Sequence, residues 1–117
     1  MNIEWLREYC LNKKGCEETL PFGPDTLVFK VKGKVFALTG INAPNSCNLK
    51  CDPEYAIELR ATHPSIQPGY HMNKQHWNTI TYNQDAPDQL ILQLVDHSYD
   101  LVVKSLTKKL QEELKND

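Results

Sequence analysis

Two runs of alternating residues meet across a glycine between Thr26 and Thr39, and no other pattern restricts the fold as much. In Thr26-Leu27-Val28-Phe29-Lys30-Val31-Lys32, Leu27, Phe29 and Val31 share one face, while Val28, Lys30 and Lys32 share the other. Successive side chains of a strand point to opposite sides, so this run predicts a strand with one buried face and one charged face. Val35-Phe36-Ala37-Leu38-Thr39 follows at once, and Gly33 supplies the positive φ that a tight reversal needs. A hairpin commits the sheet to antiparallel pairing, which tolerates one face in water.

Two further strands are expected. Residues 46–51 place Cys47, Leu49 and Cys51 on one face, and Trp77-Asn78-Thr79-Ile80-Thr81-Tyr82 sets Trp77, Thr79 and Thr81 opposite Ile80 and Tyr82. Helix signals surround them. Asn2 can cap a first helix with Ile3, Leu6 and Cys10 on one side, Lys13 and Lys14 in its last turn and Gly15 beyond. Asp52-Pro53-Glu54 opens a second helix, which ends before His63-Pro64. The longest helix starts at Asp85-Ala86-Pro87-Asp88 and carries the stripe Leu90, Ile91, Leu94, Val95, Ser98, Leu101 and Val102. Thr107 can cap a short final helix over residues 108–115, and residues 20–25 and 63–69 read as loops. The fold class is therefore α+β: one domain over residues 1–117, an antiparallel sheet with helices packed on one face.

A chain of 117 residues suits a single domain, and 40% hydrophobic with 24% charged residues is a globular composition. No apolar run nears the roughly 18 residues of a membrane span. Met1-Asn2-Ile3-Glu4-Trp5 lacks the basic-then-apolar order of a secretory leader, so the expected location is the cytoplasm, with reduced thiols. Of the four cysteines, Cys47 and Cys51 have zinc-like spacing whereas Cys10 and Cys16 do not. Without a second close pair, they read as small apolar core residues.

The net charge of −2 is unevenly spread. Residues 26–82 hold six basic and three acidic side chains, and residues 83–117 hold four basic and seven acidic. A pI near 6.1 lies far below the roughly 9 of strongly basic nucleic-acid binders, so any such contact is local.

Catalytic signatures are missing: there is no G-x-S-x-G elbow, glycine-rich phosphate loop or H-E-x-x-H pair, and the expectation is a protein without enzymatic activity. The acids Glu17-Glu18 and Asp85/Asp88 fit helix starts, where carboxylates stabilise the dipole. Two features suit nucleic-acid contact. Lys30, Lys32 and Lys34 make a basic hairpin that can meet phosphates, or else a solvated turn that protects an edge. Tyr70-His71-Met72-Asn73-Lys74-Gln75-His76-Trp77 mixes donors with aromatic surfaces, which serves stacking and phosphate binding or, alternatively, a structural corner. His71 and His76 lack further ligands at metal spacing, so no metal or cofactor is expected.

Four stretches resemble the MmcQ/YjbR family: Pro21 to Val31, Lys34 to Leu38, His71-Met72-Asn73-Lys74-Gln75-His76-Trp77-Asn78-Thr79, and Val95-Asp96-His97-Ser98-Tyr99. They occur in order over nearly the whole chain. The resemblance implies a CyaY-like (frataxin-like) α+β fold and DNA binding through an arrangement called a double wing. On that reading the contact residues are Lys30, Lys32, Lys34, His71, Asn73, Lys74, His76 and Trp77, and the partner is DNA bound by a monomer. The alternative partner is a protein or small anion. Frataxin-like iron binding is not expected, because Glu4, Glu8, Glu17 and Glu18 make only a sparse acidic ridge.

Overall fold

Six antiparallel strands form one sheet in the order β1-β2-β3-β4-β6-β5, in a computed structural model that describes residues 1–42, 45–69 and 72–117. The elements run α1 (Ile3–Leu11), β1 (Cys16–Thr19), β2 (Thr26–Val31), β3 (Lys34–Gly40), β4 (Ser46–Lys50), α2 (Pro53–Thr62), β5 (Ile66–Pro68), β6 (Trp77–Thr81), α3 (Asp88–Ser105) and α4 (Lys108–Lys115). The expected hairpin is β2–β3. Its two turn residues, Lys32 and Gly33, have φ of 49° and 82°, the pair of positive values that a two-residue reversal with strand-matched twist requires.

One face of the sheet packs against the helices. Leu27, Phe29, Val31, Ala37, Cys47, Leu49 and Ile80 meet Leu6 and Cys10 of α1 and Ile91, Leu94, Val95 and Val102 of α3 in a single buried cluster. Each such aliphatic or aromatic side chain contributes about 1.5–3 kcal/mol on burial. A bulge between Phe29 and Lys30 shifts the β2–β3 register, so Phe36 joins Ala37 in that cluster and meets Tyr99 edge-on at 5.3 Å. The radius of gyration, 13.6 Å, equals the roughly 13 Å of a single domain this long.

Three expectations need correction. The first helix stops at Leu11 with Asn12 as its C-cap, so Lys13 and Lys14 lie in the turn beyond it. Lys13 there pairs with Asp96, and Lys14 donates from Nζ to the Lys115 carbonyl at 2.6 Å. Glu17 and Glu18 belong to β1, which hydrogen-bonds to β2, and Glu18 accepts from Arg7 Nε at 2.5 Å. Asp85 precedes α3 and accepts instead from the Ser65 N–H at 2.9 Å. Part of the expected loop at 63–69 is β5, held to β6 through Ile66↔Ile80, Gln67↔Thr79 and Pro68↔Asn78.

Candidate nucleic-acid interface

Among the described residues no helix packs on the sheet's other face. Thr19, Val28, Leu38, Asn48, Thr79 and Gln67 lie in one row across all six strands. Above the middle of that row is a cleft of about 500 Å³. Thr26, Leu38, Gly40 and Asn48 form its floor, and Phe22 and Met72 its walls. The Thr79 hydroxyl donates to Asn48 Oδ1 at 2.5 Å, which leaves the amide nitrogen as the donor over the floor. Phe22 is 69% exposed at the tip of the β1–β2 loop. That loop is fixed at its base by Asp25, whose carbonyl accepts from the Ile41 N–H at 2.8 Å and whose carboxylate accepts from Asn42 Nδ2 at 2.7 Å.

The three hairpin lysines separate. Lys30 stays on the open face, two residues along β2 from Val28. Lys50, which the contact set above omits, is on the same face, two residues along β4 from Asn48. Among the described residues neither has a carboxylate within 4.0 Å, although Glu17 stands opposite Lys30 in register. Lys32 turns toward the helices and reaches Asp117 at 3.3 Å and Glu113 at 3.8 Å. Lys34 Nζ donates to the carbonyl and hydroxyl oxygens of Ser105, both at 3.3 Å. The alternation that groups Lys32 with Val28 and Lys30 ends before it, because a left-handed turn residue no longer follows the pleat.

Residues 73–77 form a tight corner leading into β6. Asn73 Oδ1 accepts from the Gln75 N–H at 2.9 Å, and the Asn73 carbonyl accepts from the His76 N–H at 3.2 Å. Arg60 of α2 clamps this corner. Its Nη2 donates to the carbonyls of Lys74 (2.5 Å) and Trp77 (3.1 Å), and its Nε to Asn78 Oδ1 (2.7 Å). The His76 carbonyl accepts from the Cys51 N–H at 2.7 Å, and that of Trp77 from the Gly69 N–H at 2.9 Å. Gly69 makes this approach close, since a Cβ would lie 3.0 Å from Trp77 Cβ and press the indole back by a few tenths of an ångström. Asn73 and Lys74 are exposed and His76 is half-buried, but Trp77 is 8% exposed. Its place in the contact set is therefore corrected: the indole anchors the corner and has no open ring face for stacking. His71 and Tyr70 lie outside the described residues. In the sequence Arg60 is one of six basic side chains over residues 26–82, and a bidentate-capable side chain one helix away gives no local signal of its target.

The Val95–Tyr99 stretch is an anchor as well. Asp96 accepts from the Tyr9 hydroxyl at 2.8 Å, and His97 Nε2 accepts from the Asp52 N–H at 3.1 Å. Ser98 contacts β3 and β4, and the Tyr99 hydroxyl donates to the Lys14 carbonyl at 2.5 Å.

Cys10, Cys47 and Cys51 are buried and Cys16 is half-buried, and none is paired. Burial pushes the Cys47 thiol up to about 12 and those of Cys16 and Cys51 to about 11. Such thiols are poor nucleophiles and poor metal ligands near neutral pH. Among the described residues no group of three or more His, Cys, Asp or Glu is placed to hold a metal ion. No helix there is long and apolar enough to cross a membrane.

The family model described as YjbR matches residues 11–101. The uncharacterized protein YbdF of Escherichia coli O157:H7 is 38% identical over 96 residues, covering 81% of this chain and 79% of its own. The uncharacterized protein YjbR of Escherichia coli K12 is 34% identical over 110 residues, 93% of each chain. Among solved structures, Deinococcus radiodurans protein DR2400 superposes with a TM-score of 0.91 at 44% identity, over 97% of this chain and 87% of that one. A Pseudomonas syringae protein gives 0.73 at 32% identity, over 86% and 98%. At these identities the neighbours share the α+β fold described above.

Proposed function

Because the chain belongs to the YjbR family, we propose that it is a non-enzymatic, monomeric DNA-binding protein of the cytoplasm, which meets its ligand with the open face of the sheet. The observation that carries this reading is the placement of charge. Lys30 and Lys50 lie together at one end of the cleft without a carboxylate partner among the described residues, and Asn73 and Lys74 are exposed beside the start of β6, whose Trp77 pairs with Lys50. The acids of α3 and α4 belong to the helical layer on the other side. Lysines so placed neutralise phosphates and release counterions, which supplies affinity without sequence preference. Of the two wings that the resemblance implies, the β2–β3 hairpin would contribute through Lys30 and not through its tip, and the 73–76 corner through Lys74.

The test is a titration with DNA at low salt and again at about 0.15 M. Two or three phosphate contacts give a log–log salt slope of about −2 to −3. Lys50→Ala and Lys74→Ala should each reduce that slope by about 1, and Lys32→Ala and Lys34→Ala should leave it unchanged. Absence of binding at low salt overturns the reading.

The concavity of the cleft favours a second reading, a module for a small anion or a protein segment, since about 500 Å³ is within the size range of ligand pockets. A flat DNA titration together with saturable binding of a small aromatic anion would select it.

A further inference from the structure

We propose that the cleft receives an unpaired nucleobase, so that the ligand is single-stranded DNA in preference to duplex. This deepens the DNA-binding reading and rests on it. Reading a duplex groove takes a helix or β-ribbon that projects into it. The open face offers neither, because the hairpin lysines that would lead such a ribbon, Lys32 and Lys34, are turned onto α4 and Ser105. It offers instead a recess lined, among the described residues, by an exposed phenyl ring and a thioether, Phe22 and Met72, beside the Asn48 amide.

A paired base keeps its faces stacked and presents only its edges. An unpaired base can enter such a recess, stack on Phe22, contact the Met72 sulfur and accept a hydrogen bond from the Asn48 amide nitrogen. The charges are spaced for the phosphates of that same strand. Lys30 and Lys50 both lie at the end of the cleft away from Thr26 and Gly40, each two residues along its strand from the Val28–Leu38–Asn48 row, which is about 7 Å in extended chain. They are two strands apart, about 10 Å across the sheet. One base in the recess and its neighbouring phosphates on the two lysines is thus a single, mutually consistent pose.

The shallow groove between α1 and α3, lined by Trp5, Tyr9 and Leu92, is also apolar. It carries Glu8 among its lining residues, where a phosphate is repelled, and no lysine or arginine lines it among the described residues.

The experiment compares anisotropy titrations of an end-labelled oligothymidylate and a labelled duplex with the same number of phosphates, both at low salt. The single strand should bind about tenfold more tightly or better, the scale of one base–aromatic stack. Phe22→Ala should remove most of that preference. Phe22 is exposed, so the substitution leaves the core intact, which thermal melting verifies. Lys50→Ala should weaken both ligands alike. Duplex binding equal to or tighter than the single strand, or a preference indifferent to Phe22→Ala, overturns this inference while DNA binding stands. Failure of both ligands to bind at low salt overturns the DNA-binding reading and this inference with it.

Discussion

The Ser98 hydroxyl donates to the Phe36 carbonyl at 2.5 Å, just where β3 and β4 cease to pair. Ala37↔Leu49 is the last register pair on that side, and the Phe29/Lys30 bulge accompanies the departure. The same oxygen accepts from the Lys50 N–H at 2.9 Å, so one side chain from α3 replaces the missing ladder rung. Ser98→Ala should then leave a buried carbonyl and a part-buried N–H without partners. The expected loss is about 2–4 kcal/mol, read by urea denaturation. A loss under about 0.5 kcal/mol would show that water takes over both groups.

Arg60 should matter to the corner before β6 more than any residue within it. Arg60→Lys keeps the charge but loses the planar fork that reaches Asn78, Lys74 and Trp77 together. The expected cost is about 2–3 kcal/mol, because Asn78 is 1% exposed and loses a charged donor. In a Trp5→Phe background, Trp77 emission should shift to longer wavelength as water reaches the indole.

Much of this architecture was legible from pattern. Alternation located β2, β3, β4 and β6, and caps located the helices, because those elements advertise a buried face or a terminus locally. β1 and β5 escaped notice for a shared reason. Cys16–Thr19 exposes both of its glutamates and Ile66–Pro68 is three residues ending in proline, so each is an edge strand that exists through its neighbour's hydrogen bonds. The site was less legible still. Leu38 and Asn48 meet through sheet register while Phe22 and Met72 reach them from outside the strands, and Lys32 takes its direction from carboxylates more than 80 residues away.

Asp85 introduces an acid-sensitive contribution to stability. Desolvation tends to raise its carboxyl, but hydrogen bonds from Ser65 and His63 outweigh it and hold the group below its ordinary range. A depressed folded-state value stabilises above the unfolded value of about 3.9, and this contribution disappears as pH falls through the folded one. Asp85→Asn should accordingly flatten the fall in melting temperature below about pH 4. An unchanged slope would show that Asp85 is not linked to acid unfolding.

The thiols should report the packing directly. Cys10 and Cys47 are fully buried and Cys51 nearly so, whereas Cys16 is half-exposed on the edge strand β1. A disulfide reagent near neutral pH should label Cys16 alone, and slowly, until denaturant exposes all four. Rapid reaction of Cys47 in the native protein would contradict the packing of β4.

The division of charge between the two sides of the sheet has a consequence for approach and orientation. A net charge of −2 makes the molecule electrically unremarkable from a distance, yet Lys30 and Lys50 outnumber Glu17 on the open face and leave the rest of the molecule the more negative. Near a polyanion it would be turned before it is held, lysine face inward. On a chromatographic support the same asymmetry should make it adhere weakly to exchangers of either sign near pH 6, each capturing the opposite side.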